Sequence, residues 1–177
     1  DVYKRQLQSH ECNAIGISGA DGNSIRAHKR PIKDLDYGFA GDVDEVDSVL
    51  ITSLLRSGLY PVFCSITHDG LGQLLNTNAD TIASELARAL SREFDVELIY
   101  CFEKKGVLKD VEDDSSVIES IDREQYEHLK KAGRIAEGML PKLQNCFEAL
   151  QNGVSRVIIG SPELLKEPGL IHTTLTL

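Results

Sequence analysis

The chain has 177 residues and a mass of 19.5 kDa, enough for one domain with a hydrophobic core. Its 41% hydrophobic and 27% charged content exclude a disordered tail or a collagen-like rod. The net charge of −9 argues against a broad nucleic-acid-binding face, which needs a basic stripe, and leaves a phosphate ligand possible only where positive potential is concentrated at a few residues.

No apolar run approaches the roughly 20 residues that cross a bilayer, so no membrane role is expected. Neither a secretory leader nor a basic amphipathic presequence is visible at the start. Cys12, Cys64, Cys101 and Cys146 form no C-x-x-C pair, which disfavours zinc ribbons and thioredoxin chemistry. Their apolar neighbours, as in VFCSI and IYCFE, predict buried, reduced thiols and a cytoplasmic protein. The opening DVYKRQ is unlike the rest, and residues 1–12 are set aside as a non-native or residual segment. The domain is expected over 13–177, as the later part of a longer protein.

Asn13–Ser18 and Ser24–Arg30 read as a hairpin closed over Ala20-Asp21-Gly22. Val46, Val49, Leu50, Leu54 and Leu55 give 44–57 helical spacing, ended by Gly58. Tyr60–Ile66 is a buried strand, 78–92 a second helix and Val96–Phe102 a further strand. An acidic loop follows over 110–116, then a short helix over 125–131. Met139, Leu143, Phe147 and Leu150 share one face of a helix over 138–151, stopped by Gly153. Val154–Gly160 and Thr173–Leu177 are the last strands. Alternating strands and helices predict an α/β fold with a largely parallel sheet, whose ligands sit beyond the carboxyl ends of the strands. That places the site in the loops after Ile66, Phe102 and Gly160.

Three segments there have chemical content. Asn76-Thr-Asn-Ala-Asp80 opens a helix, and one of its polar groups suffices as a cap, leaving the others to face a ligand or solvent. In Glu103-Lys-Lys-Gly-Val-Leu108, ammonium and backbone N–H groups can meet a polyphosphate, although a solvated turn accounts for it equally well. In Gly138-Met-Leu-Pro-Lys142, Pro141 fits only a helix's first turn, so Lys142 lies at the positive end of a helix dipole. Either an anion offsets that cost or Lys142 faces solvent. The five histidines show no metal-ligand spacing, so no metal site is assigned to side chains. A Walker A motif and G-x-S-x-G are both absent, and the glycines of GISGADG suit a turn better than a dinucleotide loop.

Gly19-Ala-Asp-Gly22, Gly58-Leu-Tyr-Pro-Val62, Gly72–Asp80, Gly106-Val-Leu108 and Gly138–Lys142, in this order, resemble the acetylglutamate kinases of the amino-acid kinase family. The resemblance runs from about Asn13 to the end. It implies a three-layer α/β/α sandwich on a mainly parallel open sheet, the carbamate kinase-like fold. It also implies transfer of the γ-phosphoryl group of ATP, with Mg²⁺, to the side-chain carboxylate of N-acetyl-L-glutamate in arginine biosynthesis. The partners implied are these small molecules and, for the full-length protein, a second copy in a homodimer. By the same resemblance Asn76 holds the acylated amino acid, Asp80 positions the catalytic lysines and Lys142 stabilises the transition state. Glu103, Lys104, Lys105, Gly106, Val107, Leu108, Arg134, Ile135 and Ala136 match the segments that enclose the nucleotide.

Two departures stand out. Relatives carry a Lys- and Gly-rich phosphate loop and an Arg that grips the substrate, all of which would precede residue 13. Cys101-Phe-Glu103 stands where many have Ser or Thr followed by Asp. The alternatives are therefore a kinase for succinylated glutamate, a kinase of the same family for aspartate, carbamate or a nucleoside monophosphate, and a nucleotide-binding module without turnover. Open sheet edges lead to the expectation that the isolated chain aggregates.

Overall fold

The structure is a computed structural model that describes residues 2–110, 112–133, 135 and 139–177. The chain divides into two compact units, Asp1–Leu90 and Ser91–Leu177.

The first unit opens with helix α1 (Val2–Ser9), which packs on strand β1 (Ala14–Ile17). The Lys4 side chain lies against Gly16, so residues set aside from the sequence are helical here. Next come β2 (Ile25–Lys29), β3 (Gly41–Val46), α2 (Ser48–Arg56), β4 (Tyr60–Phe63), β5 (Ile66–His68), β6 (Leu74–Asn76) and α3 (Ala79–Leu90). β1 and β4 form a parallel pair, and the other strands form a sheet in the order β3-β2-β5-β6.

The hairpin expected over Ala20-Asp21-Gly22 is not formed, because β1 and β2 enter different sheets. The turn itself is well specified. The Ser18 N–H and Oγ donate to the Asp21 carboxylate at 2.6 and 2.8 Å, which holds Asp21 below the ordinary carboxylate range. Gly19 then donates its N–H to the Ile66 carbonyl, which ties the crossing chain to β5 rather than back to β1. The helix expected from residue 44 starts at Ser48, since Val46 pairs with Ile25 in β3 and Asp47 caps α2 by accepting the Leu50 N–H at 2.9 Å. The single strand expected over Tyr60–Ile66 is two, one for each sheet.

The second unit contains β7 (Glu97–Cys101), β8 (Ser120–Ile121), α4 (Arg123–Lys131), α5 (Met139–Gln151), β9 (Arg156–Gly160) and β10 (Thr173–Leu175). Its sheet runs β7-β9-β10-β8, parallel at β7–β9 and β10–β8 and antiparallel at β9–β10. Asp122 and Gln125 form a capping box at the start of α4. Of the α5 face expected from spacing, Leu143, Phe147 and Leu150 are no more than 4% exposed, Met139 is only half-buried, and Cys146 joins the buried side. The Phe147 ring meets Tyr126 of α4 with centroids 5.0 Å apart. Burying an aromatic side chain of this kind contributes about 1.5–3 kcal/mol. Gly153 at φ 101° ends the segment as expected.

The thiols depart from expectation. Cys146 is buried and Cys12 half-buried, but Cys64 and Cys101 are exposed. β7 alternates, turning Leu98 and Tyr100 inward and Ile99 and Cys101 outward, so apolar neighbours in sequence do not bury a strand residue.

Candidate functional site

The sequence-predicted residues divide between the units: Asn76 and Asp80 belong to the first, and Glu103–Leu108, Ile135 and Lys142 to the second. Arg134 and Ala136 lie outside the described residues, as does Gly138.

In the first unit the Asn76–Asp80 segment is organised by Thr77. Its Oγ1 lies 2.8 Å from Thr67 Oγ1 and donates to the Gly41 carbonyl at 3.1 Å, all buried. A side chain on Gly41 would collide with Thr77 Oγ1 at 2.7 Å, so glycine lets β3 approach. With Thr77 inside, Asn76 and Asn78 are exposed. Asn78 is the helix cap, its Oδ1 accepting the N–H groups of Asp80 and Thr81 at 2.9 and 3.2 Å. Asn78 thus serves the helix, while Asn76 stands exposed at the carboxyl end of β6 and Asp80 is half-buried on the first turn of α3. Beside them Pro61, Phe63, Cys64, Ala79, Ile82 and Leu86 help to line a hollow of about 250 Å³.

The second unit builds its site at the carboxyl end of β7. A cavity of about 100 Å³ is lined by Phe102, Lys104, Gly106, Val107, Leu108, Ile135 and Met139. This is below the roughly 300–1,000 Å³ of a whole small-molecule site, and has room for no more than one group of a larger ligand. Five sequence-predicted residues line it, while Glu103 and Lys105 lie exposed and outside its wall. Its shape depends on Thr173 of β10, which is fully buried. Thr173 Oγ1 accepts the Val107 N–H at 2.8 Å and donates to the Ile118 carbonyl at 2.7 Å. A Cβ at Gly106 would stand 2.6 Å from that oxygen and 2.7 Å from Val117 Cγ1, so the backbone passes where no side chain fits.

Lys104 Nζ bonds Asp114 Oδ1 at 2.6 Å across the acidic loop, which raises the lysine above its ordinary pKa. Lys142 is the fourth residue of α5, and Pro141 sits in the first turn as expected. Its ammonium lies 5.5 Å from the Tyr100 ring centroid and 5.6 Å from that of Phe102, which joins it to the cavity wall. The sequence analysis missed Phe102, Met139, Tyr100 and Thr173. An aromatic pair at i and i+2 on the last strand residues was a usable sign for Tyr100 and Phe102. Nothing local marks Thr173, whose partners are 55 and 66 residues away.

A larger open concavity of about 670 Å³, lined in part by Lys109, Asp122, Glu124 and His128, holds none of the sequence-predicted site residues. Among the described residues no three His, Cys, Asp or Glu side chains are grouped to hold a metal, and no helix is long and apolar enough to cross a membrane.

Known proteins bear directly on this arrangement. Acetylglutamate kinase of Bacteroides thetaiotaomicron is 53% identical over 161 residues, covering 91% of this chain and 63% of the relative. That of Bacteroides fragilis is 56% identical over 153 residues, covering 86% and 59%. The chain thus spans about three fifths of the length of these relatives. Among solved structures, N-acetylglutamate synthase from Neisseria gonorrhoeae, complexed with coenzyme A and N-acetyl-glutamate, superposes with a TM-score of 0.82. It is 20% identical, with 99% of this chain and 40% of that one covered. Giardia carbamate kinase gives 0.67 at 15% identity, with 97% and 66% covered. These two likenesses establish the open α/β fold. The sequence pattern of the amino acid kinase family matches residues 4–161. With a cavity at the carboxyl end of a parallel strand and a lysine in the first turns of α5, the chain belongs to the amino acid kinase family.

Proposed function

We propose that the chain is the nucleotide-binding later portion of an N-acetylglutamate kinase, which phosphorylates the side-chain carboxylate of N-acetyl-L-glutamate with ATP in arginine biosynthesis. The observation that supports this best is the Lys142 ammonium over the same Phe102 ring that walls the small apolar cavity. The relatives at 53 and 56% identity favour this acceptor over the other amino-acid kinase substrates.

The chemistry asks little of a general base. A glutamate side chain has an ordinary pKa of about 4.3 and is already the carboxylate nucleophile at neutral pH. Rate enhancement comes from alignment and from offsetting charge on the transferred phosphoryl group. Lys142 offsets that charge, aided by the N-terminal dipole of α5. Asp80 orients lysines, and Asn76 binds the acylated amino acid from the end of β6. Gly106–Leu108 and Ile135 enclose the nucleotide together with Lys104, while Glu103, Lys105, Arg134 and Ala136 stand in the matching segments. Mg²⁺ would arrive on the phosphates of ATP, where it shares their negative charge. We propose further that the protein is cytoplasmic and that the longer chain forms a homodimer.

The test is ATP-dependent acyl phosphate formation, trapped with hydroxylamine, by a chain extended to the length of its relatives. N-acetylglutamate, N-succinylglutamate and free glutamate are compared. Turnover on N-acetylglutamate should fall roughly 100- to 1,000-fold in kcat for Lys142→Ala, with a smaller change in ATP affinity. Equal losses in both would remove Lys142 from the transition state. ATP binding with no turnover on any acceptor would leave a binding module in place of an enzyme.

A further inference from the structure

We propose that Tyr100 and Phe102 are positioning residues for Lys142, their ring faces fixing the ammonium at the carboxyl end of β7. This rests on the assignment of Lys142 to the phosphoryl group. The Nζ–centroid distances of 5.5 and 5.6 Å lie within the roughly 6 Å over which a ring face attracts a cation. Two residues apart on an extended strand, the rings leave the backbone on the same side. Both are held independently of the lysine. Tyr100 is 5% exposed, and Phe102 donates its N–H to the Gly160 carbonyl at 2.9 Å, which continues the β7–β9 pairing past the strand's last residue.

The need for such a cradle follows from the helix. Lys142 sits in the first turns of α5, where the dipole repels a cation, and the two ring faces attract its head on a flexible four-carbon stem. Phe102 also walls the cavity, so the seat of the nucleotide and the position of the ammonium are set by one side chain.

The first experiment uses the 177-residue chain itself and does not depend on activity. The ε-methylene signals of Lys142, assigned by their loss in Lys142→Arg, should be displaced upfield by the two rings. The displacement should shrink in Phe102→Leu and return in Phe102→Tyr. In the extended, active chain Phe102→Leu should lower kcat about tenfold, equivalent to ~1.4 kcal/mol, and change the KM for ATP less, with Phe102→Tyr restoring kcat. Undisplaced signals in the unsubstituted chain overturn the cradle. A displaced lysine whose loss of ring contact leaves kcat unchanged overturns the positioning role. A displaced lysine in an extended chain that turns over no acceptor overturns the kinase assignment and the role together, and leaves only the packing.

Discussion

Replacing Thr173 by Val should destabilise the chain although Val is the more apolar residue and Thr173 is fully buried. The hydroxyl makes two hydrogen bonds, from the Val107 N–H at 2.8 Å and to the Ile118 carbonyl at 2.7 Å. Valine removes both and strands the N–H of Val107, a residue only 3% exposed. Two lost bonds at about 1 kcal/mol each, with the added cost of a buried orphan donor, give about 2–3 kcal/mol. Thr173→Ser keeps the hydroxyl and loses one methyl group, for about 1 kcal/mol. In a chain of this length each kcal/mol moves Tm by roughly 2–4 °C, so the valine variant should melt well below the serine one. Urea unfolding with unchanged m-values measures the difference. Because the same hydroxyl secures Val107 in the cavity wall, ATP affinity should drop for Val and hold for Ser. A valine variant as stable as the serine variant would refute the claim that this hydroxyl holds Val107 and Ile118 in place.

Further substitutions separate the structural from the functional polar groups. Asn78→Ala should cost about 1 kcal/mol through the lost α3 cap and leave substrate affinity unchanged, while Asn76→Ala should raise the KM for N-acetylglutamate with little effect on urea midpoints. Asp114→Asn should release Lys104 and raise ATP affinity slightly, an effect that Lys104→Met abolishes. Asp42 is held below its ordinary value of 3.8 by hydrogen bonds from Arg30. A lowered folded pKa gives stability that is complete above the unfolded value and lost as pH falls through the folded one. Urea midpoints below about pH 4 should therefore fall more steeply for the unsubstituted chain than for Asp42→Asn.

The elements legible in the sequence are those whose signals are local. Helices α3, α4 and α5 and strands β7, β9 and β10 follow from periodicity and from Gly and Pro punctuation, as does the placement of Lys142 beside Pro141. What was misread depends on partners far along the chain. Asp44-Glu-Val46 looks like the acidic start of a helix, but the register of β3 against β2, with Arg30 bonded to Asp42 and Arg26 paired with Glu45, makes it a strand. Tyr60–His68 is one apolar run that feeds two sheets, and no feature of the run itself marks the break. Strands of two or three residues such as β6 and β8 are too short for alternation to register.

The candidate site shows the same division. Asn76-Thr-Asn-Ala-Asp80 resembles a run of interchangeable polar groups until Thr77 is seen locked to Thr67 and Gly41. That anchor settles the facing of its neighbours: Asn78 turns outward and caps α3 by accepting the N–H groups of Asp80 and Thr81, and Asn76 is exposed at the end of β6. In the second unit the anchor is Thr173, and it is why Gly106 must be glycine. A methyl group at Gly106 would stand 2.6 Å from a hydroxyl that is itself making two bonds, where it has no room. Gly106→Ala should therefore disturb Val107 by the same route as Thr173→Val, by pushing the hydroxyl off its partners. If the two lesions act through that single contact, their combined cost should be less than the sum of the two alone, by at least 0.5 kcal/mol. Strict additivity in a double-mutant cycle would mean that the glycine and the hydroxyl support the cavity separately.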